Sequence, residues 1–185
     1  MSGCVTICPI GSVDREILEH IAKCISLRCG LTCRISMRME NPRYAYDDTR
    51  CQYNSKLIIK HLLDQSLQDS FRLLGITSVD LYVPILKFVF GLAQIHGKCS
   101  LISLHRLCPK FYDQPSDPDL LLARAEKTAL HELGHTLGMT HCRDRRCVMC
   151  SSVRIEDTDS KQPDFCLTCF ELFQWYLKKS LQQPS

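Results

Sequence analysis

Membrane spans, linkers and repeats are missing from this sequence. No run of about 18 uncharged apolar residues occurs, the least a bilayer-spanning helix needs. Glycine and proline number only eight each and are scattered, which excludes collagen-like and low-complexity classes. A hydrophobic content of 45% excludes a chain too polar to fold. Neither sign of charge dominates: the net charge is +3, so electrostatics alone makes no case for a nucleic acid or a membrane surface. The first residues lack a basic stretch and reach Asp14-Arg15-Glu16 too soon for a signal peptide. The expectation is a soluble, cytoplasmic chain whose 185 residues form one well-buried core.

What the sequence has in excess is cysteine, 13 residues. An odd count without an export signal argues against a fully paired secreted framework. Clustered cysteines in such a chain point to metal, and scattered ones to small buried hydrophobes. Bridges among the N-terminal cysteines stay open at this stage.

Apolar spacing suggests the order strand–helix–strand–helix–strand–strand–strand. Val5–Ile10 reads as a strand, and Ser12 as the N-cap of a helix through about Cys29, with Val13, Ile17, Leu18, Ile21 and Ile25 on one face. Gly30 ends it, Leu31–Met39 alternates as a strand, and Asn54 or Ser55 caps a second helix running to about Leu74, closed by Gly75. Val79–Leu86, Lys87–Ala93 and Lys98–Leu107 are β-rich. Asp117 and Pro118 open a third helix that gives out at Gly138, and a last helix spans about Phe170 to Leu181 with Phe170, Phe173, Leu177 and Leu181 on its core stripe. The class is α/β, a mixed sheet with flanking helices.

The third helix ends in His131-Glu132-Leu133-Gly134-His135. A spacing of four puts both imidazoles on one face, one turn apart, with Glu132 about 100° round the helix beside the open coordination position. Gly138 can leave the helix in the left-handed conformation and return His141 as a third ligand. Three neutral imidazoles plus a water make an open catalytic zinc site. Glu132 would take the proton of that water and pass it to a leaving amine, so the chemistry indicated is peptide-bond hydrolysis. The competing reading is a set of surface histidines favourable to the helix dipole. The five-residue motif alone would leave that reading standing; Gly138 and His141 at the required spacing argue against it.

Cys142, Cys147, Cys150, Cys166 and Cys169 follow closely. Cys166 and Cys169 would open the last helix, and two more thiolates from the segment after His141 would close a structural zinc site. Spacing alone pairs Cys147/Cys150 with Cys166/Cys169, as in a zinc ribbon. Arg143, Arg145 and Arg146 lack stacking aromatics, so no nucleic-acid partner is expected. Lys127, one turn before His131, is a candidate electrophile or a solvated side chain. A zinc-stabilised binding module with a closed or vestigial site is the alternative to an enzyme.

Residues 131–149, HELGHTLGMTHCRDRRCVM, together with Cys166 and Cys169, resemble the archaemetzincin signature of the metzincin zinc-peptidase clan. Gln52-Tyr53-Asn54-Ser55, Asp80-Leu81-Tyr82-Val83-Pro84 and Phe88-Val89-Phe90-Gly91 are similar to that family as well. The resemblance implies a metzincin-like twisted mixed sheet, an active-site helix ending at Gly138, and a small zinc-stabilised C-terminal subdomain. It divides one catalytic domain, 1–185, into an upper part, 1–138, and a lower part, 139–185. It implies His131, His135 and His141 on a catalytic zinc, Glu132 as general base, Met149 beneath the metal, and a second, structural zinc on Cys142, Cys147, Cys166 and Cys169. Cys142 is also preferred to Cys150 because a knuckle closing on both sides of Met149 would restrict the turn that places it. The shortness of the chain resembles archaeal or bacterial members, and the implied partner is a peptide or protein substrate, paired with an edge strand within Phe88–Ala93.

Overall fold

The computed structural model describes residues 3–65 and 70–182. Its elements are β1 (Cys4–Ile10), α1 (Arg15–Cys29), β2 (Thr32–Ile35), β3 (Tyr46–Asp47), β4 (Gln52–Asn54), α2 (Ser55–Asp64), β5 (Arg72–Thr77), β6 (Leu81–Tyr82), β7 (Gly91–Ala93), β8 (Cys99–Ser103), α3 (Pro118–Leu137), α4 (Ile155–Ser160) and α5 (Leu167–Gln182). The main sheet has the order β2-β1-β5-β8-β7. Its first four strands are parallel and β7 runs antiparallel at the edge. A small second sheet joins β3, β4 and β6.

Alternation along the strands divides the interior in two, because successive side chains point to opposite faces. Val5 and Ile7 of β1, Leu74 and Ile76 of β5, and Ile102 of β8 face α1, α3 and α5. Cys8 and Ile10, Leu73, and Cys99 and Leu101 face α2. Burying both faces is what parallel strands require.

The second helix is shorter than its sequence suggests. It stops at Asp64, residues 66–69 of the expected helix lie outside the described residues, and Arg72–Thr77 is a central strand. Gly75 is therefore no helix stop: a Cβ there would lie 2.7 Å from the Leu62 side chain and 2.9 Å from Leu101. Its hydrogen lets α2 lie close on the sheet, and an unbroken apolar run suits a strand paired on both edges.

Asp14, not Ser12, is the N-cap of α1. The strand expected over Leu31–Met39 pairs only across Thr32–Ile35, and that over Lys98–Leu107 only across Cys99–Ser103 before short 3-10 turns. Val79–Leu86 and Lys87–Ala93 contribute only β6 and β7. On α5 the core stripe is Cys169, Phe173 and Leu177, whereas Phe170 is exposed; the helix starts three residues earlier than expected and is held from its first turn. No helix among the described residues is long and apolar enough to cross a membrane.

The site-bearing helix follows the sequence closely. Asp117 accepts from the Leu120 amide at 2.9 Å, Pro118 takes the first helical position, and Gly138 leaves the helix at φ 107°. Arg124 of α3, buried, grips Asp159 through two bonds of 2.7 Å and so anchors α4.

Candidate active site and metal centres

The last two turns of α3 and the chain returning from Gly138 bring His131, His135 and His141 together, with one ring nitrogen from each within 4.8 Å of the others. Backbone carbonyls orient two of the rings. His131 Nδ1 donates to Val148 O at 2.8 Å and His135 Nδ1 to Met139 O at 2.7 Å. A carbonyl only accepts, so both protons sit on Nδ1 and both Nε2 atoms present lone pairs. Those two atoms are 3.1 Å apart. Burial holds both imidazoles below their ordinary range, His131 most strongly, and keeps them neutral. Two lone pairs at that separation repel unless a cation lies between them, and tetrahedral zinc at about 2.0–2.1 Å from each nitrogen would set them about 3.3 Å apart. The donor set fits zinc, and the carbonyl partners are the outer hydrogen bonds that orient metal-bound histidines. Burial also lowers His141.

Glu132 lies beside this triad, buried, and desolvation raises its carboxyl to about 8 while the Lys161 ammonium opposes the shift. The edge strand closes over it. A Cβ at Gly91 would come within 2.7 Å of Glu132 Cγ and 2.8 Å of its Oε1. Gly134 does the same below: a Cβ there would be 2.6 Å from Met149 Sδ. Met149, fully buried, thus packs on the face of α3 between the two helical histidines. Cys142 N donates to Met149 O at 2.9 Å, which pairs the returning chain with the turn that carries Met149.

Cys142, Cys147, Cys166 and Cys169 form a second cluster, their sulfurs all within 4.8 Å of one another. Cys142 and Cys166 are 3.8 Å apart, the separation that zinc at about 2.3 Å from each sulfur would impose. Backbone amides of Asp144 and Cys166 donate to the Cys142 and Cys147 sulfurs at 3.4 and 3.3 Å, as suits thiolates. Amide donation at the start of α5 lowers the Cys166 thiol, whereas burial and then the neighbouring thiols push Cys169 up. Cys150 is outside the cluster; its carbonyl accepts from Lys161 at 2.7 Å. The ribbon pairing drawn from spacing is thus not the set of sulfurs that meets. All thirteen cysteines are free thiols.

A third group, His20, Cys24 and Glu126, differs in kind. His20 Nε2 and Cys24 Sγ approach the same Glu126 oxygen at 2.7 and 2.8 Å. These are hydrogen-bond distances, shorter than the spacing of about 3.3–3.5 Å between ligands of one zinc, and Arg28 lies 3.6 Å from the other oxygen. The group ties α1 to α3.

Lys127 donates to Thr158 O and Asp159 O at the end of α4 and does not line the cavity on which the histidines open, which argues against it as an electrophile. Lys161, Gly91 and Gly134 line or shape the site and were missed from sequence; each acts through a contact distant in the chain, with no local spacing to betray it. A cavity of about 700 Å³ opens on His131, His135, His141 and Glu132, and β7 and Ser151–Val153 contribute to its walls.

The model of peptidase family M54 matches residues 10–175. The archaemetzincin of Methanocaldococcus jannaschii is 44% identical over 170 residues, 92% of each chain. That of Pyrococcus furiosus is 37% identical over 175 residues, 91% of each. Among solved structures, the archaemetzincin of Methanopyrus kandleri superposes with a TM-score of 0.85 at 34% identity, covering 96% of each chain.

Proposed function

The chain belongs to peptidase family M54, the archaemetzincins, and is a zinc metallopeptidase; from that premise we propose that His131, His135 and His141 hold the catalytic zinc, that Glu132 is its general base, and that Cys142, Cys147, Cys166 and Cys169 hold a second, structural zinc. The observation that carries the first assignment is the pair of bare Nε2 atoms at 3.1 Å, each fixed by a carbonyl behind it. Zinc held there supplies a Lewis acid for the attacking water and the scissile carbonyl. Glu132, next along α3 from the first ligand, accepts the water's proton and delivers it to the leaving amine; burial alone raises this carboxyl, and the charges of Lys161 and of a zinc ion at the triad would return it to the ionised form that a base needs. Gly91 and the buried walls around Glu132 fix the carboxylate and exclude bulk water. Met149 supports the ligand face from beneath, and Gly138 turns the chain so that His141 can join it.

An extended substrate adds as a strand to β7, which pairs with β8 on one edge only and lines the cavity with Gly91, Leu92 and Ala93. In this reading residues 1–138 form the upper part of one catalytic domain, 139–185 the lower part, and the cleft runs between them. The open cavity beside Glu132 favours catalysis over a closed binding module. Free thiols throughout suit a reducing compartment, the cytoplasm.

Metal analysis of the purified protein is expected to give two zinc ions per chain. A peptide-library cleavage assay is expected to show hydrolysis that a chelator abolishes. Glu132→Ala should keep both ions and lose hydrolysis, because its carboxylate moves protons and binds no metal. Loss of zinc in that variant, or full activity, would remove the role assigned.

A further inference from the structure

The cavity contains a positive charge that this chemistry does not use. Lys161 follows α4 and is 3% exposed. Its Nζ has three protons to donate but makes one hydrogen bond among the described residues, to Cys150 O at 2.7 Å. Among the described residues Glu132 is the only carboxylate lining the cavity; its charge acts on Lys161, but no ion pair joins the two. Ser152 lines the same cavity, and its hydroxyl is buried with no hydrogen-bond partner. The remaining walls are largely apolar, with Phe88, Val89, Leu92 and Val153 among them. A buried ammonium is costly to desolvate without an anion, and buried polar groups left unpaired in a native structure call for an explanation. An anionic ligand that enters the cavity would give the ammonium its anion, and the Ser152 hydroxyl a partner once that side chain turns toward the cavity.

Building on the peptidase reading, we propose that Lys161, with Ser152, recognises a carboxylate on the substrate residue that follows the scissile bond. The side of the site decides which residue. Glu132 hands its proton to the leaving amine, so the residue bearing that nitrogen lies on Glu132's side of the histidines. Thr128, one turn before Glu132 on α3, lines the cavity with Thr158 and Lys161, α4 packs on α3, and Lys161 is the charged group that acts on Glu132. Two separate unsatisfied polar groups match the two oxygens of a carboxylate better than the single oxygen of a developing oxyanion. Burial pushes Lys161 down to about 8, which leaves it cationic at neutral pH. The carboxylate belongs either to an acidic side chain at that residue or to the chain end, if the residue is the last.

Matched peptides distinguish these. One pair carries Glu or Gln after the scissile bond; the other ends at that residue as a free acid or an amide. The acidic member of at least one pair should have a kcat/KM higher by about tenfold or more, chiefly through KM, as a charge-assisted hydrogen bond implies. Preference within the first pair alone identifies a side chain, and within the second alone a chain end. Lys161→Met should bring the ratio to near one, and Lys161→Arg should restore it. Anisotropy of the labelled peptides on zinc-loaded Glu132→Ala protein reads the same preference without turnover, so failed hydrolysis refutes the peptidase reading and leaves this one measurable. Equal kcat/KM and equal binding within both pairs in the unmutated protein would overturn the proposal. So would a fall in kcat for every peptide in Lys161→Met with the ratio intact, which would place the ammonium on the oxyanion.

Discussion

Gly91→Ala tests the site without replacing any group that performs chemistry. The new Cβ would lie 2.7 Å from Glu132 Cγ, 2.8 Å from Oε1 and 2.8 Å from the Leu101 carbonyl on β8, where ordinary contact begins at 3.4 Å. The sheet cannot yield much toward β8, whose Leu101 pairs directly with Leu92. Glu132 must give way, by about 0.7 Å at Cγ if it takes the whole displacement. It is buried and has little room to move. A misplacement approaching 1 Å costs up to about 100-fold in rate, so kcat/KM should fall by about 10- to 100-fold. Overpacking of this kind destabilises by about 1–3 kcal/mol, which in a chain of this size is about 2–4 °C in Tm for each kcal/mol. The proposed zinc ligands are untouched, and zinc content should not change. The measurements are kcat/KM on one quenched peptide, metal stoichiometry and a melting curve. Activity within about twofold of the parent, at unchanged fold, would mean that Gly91 does not set the Glu132 position.

Gly134→Ala presses on Met149 from the opposite side, with the new Cβ 2.6 Å from Sδ; thermal unfolding should show a loss of about 1–3 kcal/mol, and an unchanged Tm would refute the close packing of Met149 on α3. Cys142→Ser should release one of two zinc ions and lower Tm by about 10 °C, since loss of a metal belongs with the largest single-residue effects. Cys150→Ser should do neither, and zinc loss in that variant instead would show that the ribbon pairing had been right.

The parts legible in the sequence are those whose meaning lies within a turn or two of the chain. Asp117 with Pro118, the spacing of His131 and His135, and the return through Gly138 are local rules, and the helix obeys them. Arg72–Thr77 was misread because a short apolar run next to a helical pattern carries no period of its own. Gly75 resembles a helix stop until Leu62 and Leu101 are seen packed against it on the face that α2 covers. Phe170 fits the helical period, yet the true start of α5 at Leu167 puts Cys169 in the buried position instead. The site shows the same division. The three histidines that meet could be found by spacing, whereas spacing pointed to Cys150 where Cys142 joins the sulfur cluster. Lys161, Gly91 and Gly134 could not, because a buried ammonium, a bare edge backbone and a gap for a methionine are properties of surfaces that meet only after folding.

Such meetings also explain why two metal centres would stand so close in the chain. Cys142 follows His141 directly, and Cys147 precedes Val148 and Met149. The sulfur cluster therefore holds the chain at two points, directly after His141 and directly before Val148 and Met149. Val148 O orients His131 at 2.8 Å, and Val148 N is held in turn by Asp164 O at 2.9 Å. Met149 O receives the Cys142 amide, so the turn under α3 is closed by the residue that begins the cluster. Among the described residues, no regular element runs between Leu137 and Ile155, and little else would hold a carbonyl to a fraction of an ångström there. Outer-sphere partners of this kind are worth about 10- to 100-fold in metal affinity. A structural ion at the four sulfurs would act at one remove, by keeping the Val148 carbonyl where a lone-pair-bearing His131 needs it.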